Sequence, residues 1–184
     1  MFENWYTPTQ VLEVLRNNTS NGLYAIMLKD KDAFEPYNDE FHKEYIERGQ
    51  PDIIYIGKAY RRGGIRARLR NELRQSGKAT FFRSVGAVLK YSPKNNQTGR
   101  NIINYTFAER EKESIIAFME DNFLVSCEVI NDQNKIENQE ESLIHKLEPI
   151  FNHDFNPNKS LVVKTERERC RCFAESTDDC HERE

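Results

Sequence analysis

The sequence predicts an α/β fold of the α+β type: a small three-stranded sheet flanked by helices, within a single domain. Three observations predict it. Residues 22–28, 52–57 and 123–129 are short apolar or alternating runs of strand character. Segments of helical periodicity lie between and after them. A chain of 184 residues with 38% hydrophobic content fills one core and is short for two.

The elements follow in order. Thr7 reads as an N-cap with Pro8 at the first helical position and Gln10 closing a capping box. Val11, Leu12, Val14 and Leu15 would pack this helix onto the domain. Residues 22–28 form a nearly continuous apolar run, as in a strand buried on both faces. Residues 30–51, with Pro36, Gly49 and Pro51, read as an acidic insertion containing a short helix near residues 40–48. The second strand, 52–57, should end at Gly57. A helix over 65–76 would bury Ile65, Leu69 and Leu73. Arg66 and Arg68 flank that stripe, whereas Arg70 and Arg74 point outward to solvent.

A helix over 80–89 should turn Phe82, Val85 and Leu89 to the core, and residues 91–101 read as a loop. Thr106 and Glu109 form a second capping box, opening a helix that runs to about residue 120. Phe123, Val125, Cys127 and Val129 give the third strand one strongly apolar face. Asn131 or Asp132 caps the next helix, and Pro149 ends it. The chain divides into an N-terminal helical extension (1–20), a central domain (21–156) and a polar tail (157–184) whose order its composition leaves open.

No run reaches the length of a membrane span, and the N-terminus lacks a signal-peptide pattern. Four cysteines, unevenly placed, form no disulfide framework, and a reducing, cytoplasmic location is expected. Cys170, Cys172, Cys180 and His181 match no usual zinc-finger spacing and read as ordinary reduced side chains. His42, His145 and His153 show no partner pattern and are expected at the surface. The net charge of −3 argues on average against a nucleic-acid partner. The average conceals a division: residues 30–52 carry eight acids and three bases, residues 57–83 nine bases and one acid. A basic block inside an acidic chain is a local footprint for an anion, phosphate first among them.

The helix after the third strand carries an anomaly. Ile136, Leu143 and Leu147 form one apolar stripe, with Ile144 beside it, yet Glu140 fills the i+4 position. A carboxylate there is costly unless paired or bound to a metal. It either lies near an exposed helix end or meets an arginine, or it shares a site with residues far upstream.

Gly22-Leu23-Tyr24, Tyr55-Ile56-Gly57, Arg68-Leu69 after a basic stretch, Glu140-Glu-Ser-Leu-Ile and Pro149-Ile-Phe-Asn152 occur in this order. Together they resemble the GIY-YIG nuclease family over residues 22–152. The resemblance implies an antiparallel sheet with Tyr24 and Tyr55 as active-site tyrosines on its first two strands. Gly22 belongs to the first motif, and Gly57 matches a glycine that lets the chain turn tightly. Arg68 matches the catalytic arginine, with Arg66 a lesser candidate. Glu140 matches the metal-binding glutamate, and Asn152 the asparagine that supports the site. Lys58, Arg61, Arg62 and Arg66 are the expected nucleic-acid contacts.

The implied activity is metal-dependent endonucleolytic hydrolysis of DNA, duplex or branched, leaving 5′-phosphate and 3′-hydroxyl ends. One Mg²⁺ or Mn²⁺ on Glu140 suits a hard cation that needs only one or two carboxylates. Tyr55 or Tyr24 would deprotonate water, which requires the cation and Arg68 to favour a phenolate. Two departures stand out. The tyrosines are 31 positions apart, the acidic insertion between them expected near the DNA-binding side or the sheet edge, where it would repel phosphate. Glu72 stands where some restriction-type relatives place a histidine. Competing readings are a non-catalytic nucleic-acid-binding module on the same fold and a small metabolic or interaction protein. Specificity would come from loops, the N-terminal helix, the tail, a homodimer or a separate partner.

Overall fold

The computed structural model describes residues 2–49, 51–60 and 63–176. Helix α1 (Pro8–Val14) begins on the full capping box, Thr7 accepting from the Gln10 amide and Gln10 answering to the Thr7 amide. Strand β1 (Gly22–Leu28) is the centre of a three-stranded antiparallel sheet of order β2-β1-β3, with β2 at Ile53–Ala59 and β3 at Phe123–Val129. The register sets Tyr24 opposite Gly57 and Ile26 opposite Tyr55, so both tyrosines share one face. On that face pack α3 (Gly64–Arg74), α4 (Thr80–Val88) and α6 (Glu109–Asn122), preceded by the single-turn α5 (Arg100–Ile103). Leu23, Ala25 and Ile56 face the other way, against Ile136 and Ile144 of α7 (Gln133–Leu147).

Both outer strands are covered at mid-length. Tyr6 pairs with Val125 through reciprocal backbone bonds of 3.0 and 2.8 Å, and the Phe151 amide donates to Ile54 O at 3.1 Å. These contacts satisfy backbone groups that a free sheet edge leaves open. Among the described residues no helix is long and apolar enough to cross a membrane.

Several expectations need correction. Gly57 does not end β2, which continues to Ala59. The capping box at Thr106 does not form: α6 starts two residues later from Ala108, with Glu109 and Glu111 favourably placed at its positive end. The Thr106 carbonyl instead accepts from Lys94 N at 2.9 Å. Helix α4 is buried all round rather than on one face, Phe81 and Ala87 included. The reason is α8 (Leu161–Glu175), which covers it from the second side and buries Val163, Cys170 and Ala174. In β3 Phe123 and Val125 are fully buried, but Val129 is 49% exposed, so the apolar face fades toward its end.

The acidic segment contributes to the core as well as to the surface. Its helix α2 (Asp39–Glu47) buries Phe41 and Tyr45, and Phe34 meets Phe41, Phe118, Phe123 and Phe151 in one aromatic cluster. Acids line its outer side while its aromatic residues complete the core.

Candidate active site

A cleft of about 740 Å³ opens beside β2, and Tyr55, Lys58, Arg68, Glu140 and Asn152 all line it. Four elements deliver these side chains: β2, α3, α7 and the loop after α7. Strand alternation sends Tyr55 and Gly57 toward α3, and Lys58 toward α7. Tyr55 and Arg68 therefore reach the cleft from one side of the sheet, Lys58 and Glu140 from the other.

Tyr24 lies behind this surface, fully buried, its ring 6.2 Å from that of Tyr55 between centroids. Gly57 makes room for it: a Cβ there would stand 2.4 Å from the Tyr24 hydroxyl and Cζ. The absent side chain thus serves ring packing in mid-strand, not a tight turn. Gly22 lies away from the cleft, where a Cβ would strike Glu128 O of β3 at 1.9 Å.

Arg68 pairs with Glu72 one turn along α3 and donates to Lys78 O at 2.7 Å. Burial opposes its charge, but Tyr24, Glu72 and Tyr55 around it push its pKa up overall. Glu72 is completely buried and accepts from the Phe81 amide at 2.8 Å, at the N-terminus of α4. Burial pushes its carboxyl up, with Arg68 and the α4 amides pulling the other way. The residue is the single acid in the basic block, and that isolation was the available sign of an ion pair. Burial likewise drives the Tyr55 and Tyr24 hydroxyls up, more strongly than Arg68 lowers them. In the protein alone Arg68 therefore does not by itself secure a phenolate.

Glu140, 8% exposed, meets a lysine rather than an arginine: Lys58 Nζ lies 2.8 Å from its Oε2. Burial raises its pKa and Lys58 partly offsets the rise. This carboxylate faces the cleft with an ammonium as counter-ion, a position that suits a cation. No group of three or more His, Cys, Asp or Glu among the described residues could hold a metal. A hard divalent ion would rest on Glu140, completed by water and substrate phosphate, and the residues fit that mode.

Asn152 holds the arrangement together. Its Oδ1 accepts from Ile56 N at 2.9 Å and its Nδ2 donates to Ile56 O at 2.8 Å, replacing a missing strand between Tyr55 and Gly57. Sequence reasoning missed Asn156, whose buried Nδ2 donates to Pro149 O and Asn152 O, and Arg167, which brings α8 to the cleft wall.

Arg66 does not line the cleft, and Arg61 and Arg62 lie outside the described residues. Arg70 is exposed as expected, but Arg74 turns to Thr9, with Nη2 2.8 Å from Oγ1, and to Glu120. His145 is exposed. His42, by contrast, pairs with Asp32 at 2.9 Å, and His153 is half-buried against the cleft. Cys170 is buried near Tyr91 O and Cys172 is exposed, both as free thiols, while Cys180 and His181 lie outside the described residues. None of the cleft residues comes from the acidic segment.

An antiparallel α+β unit with a cleft built around arginine, lysine, tyrosine and one buried carboxylate is equipped to handle phosphate esters. The family model described as GIY-YIG catalytic domain matches residues 22–172. The chain belongs to that family, and its function is of nuclease type with DNA as substrate. The match runs into α8, twenty residues beyond the last motif. No curated protein and no solved structure matches the chain.

Proposed function

We propose that the protein is an endonuclease that hydrolyses DNA phosphodiester bonds with the help of one divalent cation, Mg²⁺ or Mn²⁺. The observation that carries this reading is the convergence of Tyr55, Arg68 and Glu140 on one cleft from three separate elements. Glu140 would hold the ion, which supplies Lewis-acid stabilisation of the leaving oxygen.

The chain's own groups do the rest. Of the two motif tyrosines Tyr55 reaches the cleft, so its oxygen, as the phenolate, is placed to take a proton from the attacking water. Tyr24, buried behind it, positions Tyr55 and the Arg68 guanidinium. Arg68 presents a permanent charge to the pentacovalent phosphate, held in place by Glu72 and the Lys78 carbonyl. Lys58 is the counter-ion of Glu140 in the protein alone, and with a cation held by that carboxylate its ammonium would be available to a phosphate oxygen. Asn152 keeps the backbone at Ile56 rigid, so Tyr55 does not drift from this geometry.

The test is incubation of supercoiled plasmid with the purified protein in Mg²⁺, Mn²⁺ or EDTA, beside Glu140→Ala. Metal-dependent nicking or linearisation that disappears in the variant supports the assignment. Retained cleavage by a folded Glu140→Ala or Arg68→Ala would sink it. Binding of DNA without cleavage by the wild type would select the non-catalytic binding module instead.

A further inference from the structure

The loop after α7 turns Phe155 outward at the mouth of the cleft, and no step above uses it. The side chain is 49% exposed, and its backbone sits at φ 60°. That left-handed conformation is uncommon for a bulky residue and persists only where neighbouring structure imposes it. Here two buried amides impose it. Asn152 ties the loop to Ile56, and Asn156 Nδ2 donates to Pro149 O at 2.9 Å and Asn152 O at 3.1 Å. The Asn158 amide donates to Asn156 Oδ1 at 2.8 Å on the far side. A rigid, strained support thus carries an apolar ring away from the core.

The ring's neighbours define what it can meet. Lys58 Nζ lies 6.0 Å from the Phe155 centroid and 5.6 Å from that of Tyr60. The same ammonium is bonded to Glu140. The exposed Phe155 ring therefore flanks the point where the nuclease reading puts the scissile phosphate, while Tyr60 packs against Leu23, Ile130 and Ile136. Aromatic rings stack on nucleobases of any sequence, but only when the base face is free. In an intact duplex the bases offer only their edges.

We propose that Phe155 stacks on an unpaired nucleobase beside the phosphate being cut, which makes DNA with a bulge, fork or other break in pairing the preferred substrate. This inference rests on the nuclease reading of the cleft and adds the substrate class.

The experiment measures binding in EDTA, so that cleavage plays no part. Labelled oligonucleotides carry 2-aminopurine at a single bulged position or at the same position in a fully paired duplex. Fluorescence anisotropy gives affinity, and quenching of the 2-aminopurine reports stacking. The wild type should bind the bulged DNA about tenfold more tightly, with quenching, and Phe155→Ala should lose both effects. Phe155→Trp should restore them. Phe155→Gly, which suits the backbone conformation, should lose the preference without lowering the melting temperature.

Equal affinity of the wild type for both oligonucleotides, or a preference that survives in Phe155→Ala, overturns the proposal and leaves the nuclease reading intact. A melting temperature lowered by several degrees in Phe155→Gly would show that the ring packs the loop, and overturns it too. Failure of the wild type to bind either DNA removes the nuclease reading and the inference together.

Discussion

Glu72 follows Arg68 by one turn of α3 and sits, fully buried, between that guanidinium and the N-terminus of α4. It makes the position of the cleft arginine depend on the packing of two helices. Removing one member of a buried pair strands the other charge, which costs about 3 kcal/mol or more. Glu72→Ala should lose about that much stability in urea denaturation, and cleavage should fall with it because Arg68 is released. Glu72→Gln keeps an acceptor for the Phe81 amide and should lose less. Equal stability of Glu72→Ala and wild type would refute the coupling.

Tyr55 makes a prediction in pH. Because burial raises its hydroxyl above the ordinary tyrosine value, the phenolate fraction grows about tenfold per pH unit through the neutral range. With saturating Mg²⁺ and single-turnover conditions, the cleavage rate should climb with that slope from pH 7 to 9. Tyr55→Phe should abolish the slope and lower the rate by roughly 10²- to 10⁴-fold. A rate that is flat over this range in the wild type would assign the proton to another group.

The Lys58–Glu140 pair makes the ammonium a competitor of the metal. Lys58→Met should leave the carboxylate without its counter-ion, and affinity for Mn²⁺, followed by calorimetry, should rise about tenfold. DNA affinity should fall in the same variant. Glu140→Gln should remove the metal heat altogether. Unchanged Mn²⁺ affinity in Lys58→Met would show that the cation binds elsewhere.

Gly57 tests the packing of the tyrosines. The Tyr24 ring is fully buried and has nowhere to move when a methyl arrives 2.4 Å from its hydroxyl end. Gly57→Ala should cost about 1–3 kcal/mol by overpacking. Its near-ultraviolet circular dichroism should change as the tyrosines shift. A variant with wild-type stability would mean that β2 yields locally.

Much of this was legible in the chain because local chemistry agreed with the tertiary outcome. The Thr7 capping box formed as written, and Glu140 betrayed itself as one acid in an apolar stripe. The motif order carried the family and the antiparallel sheet. What stayed hidden depended on long-range partners. Nothing local distinguishes Gly57 as a strand residue facing a ring from Gly57 as a turn. The box at Thr106 lost to the Lys94 contact. Phe41 and Tyr45, spaced by one helical turn, were the sign that the acidic segment contributes to the core, but the surrounding acids dominated the composition. Helix α8 reads as polar because its buried positions are mostly small or few, among them Val163, Cys170 and Ala174.

The mid-length covers on both sheet edges bear on assembly. Tyr6 occupies β3 at Val125, while Phe151 and Asn152 occupy β2 at Ile54 and Ile56. Neither outer strand offers the uninterrupted row of backbone groups that β-augmentation requires. Any second copy or targeting subunit would have to be recognised through side chains on helices and loops. Such contacts can be exchanged in evolution without disturbing a single hydrogen bond of the sheet that carries the tyrosines.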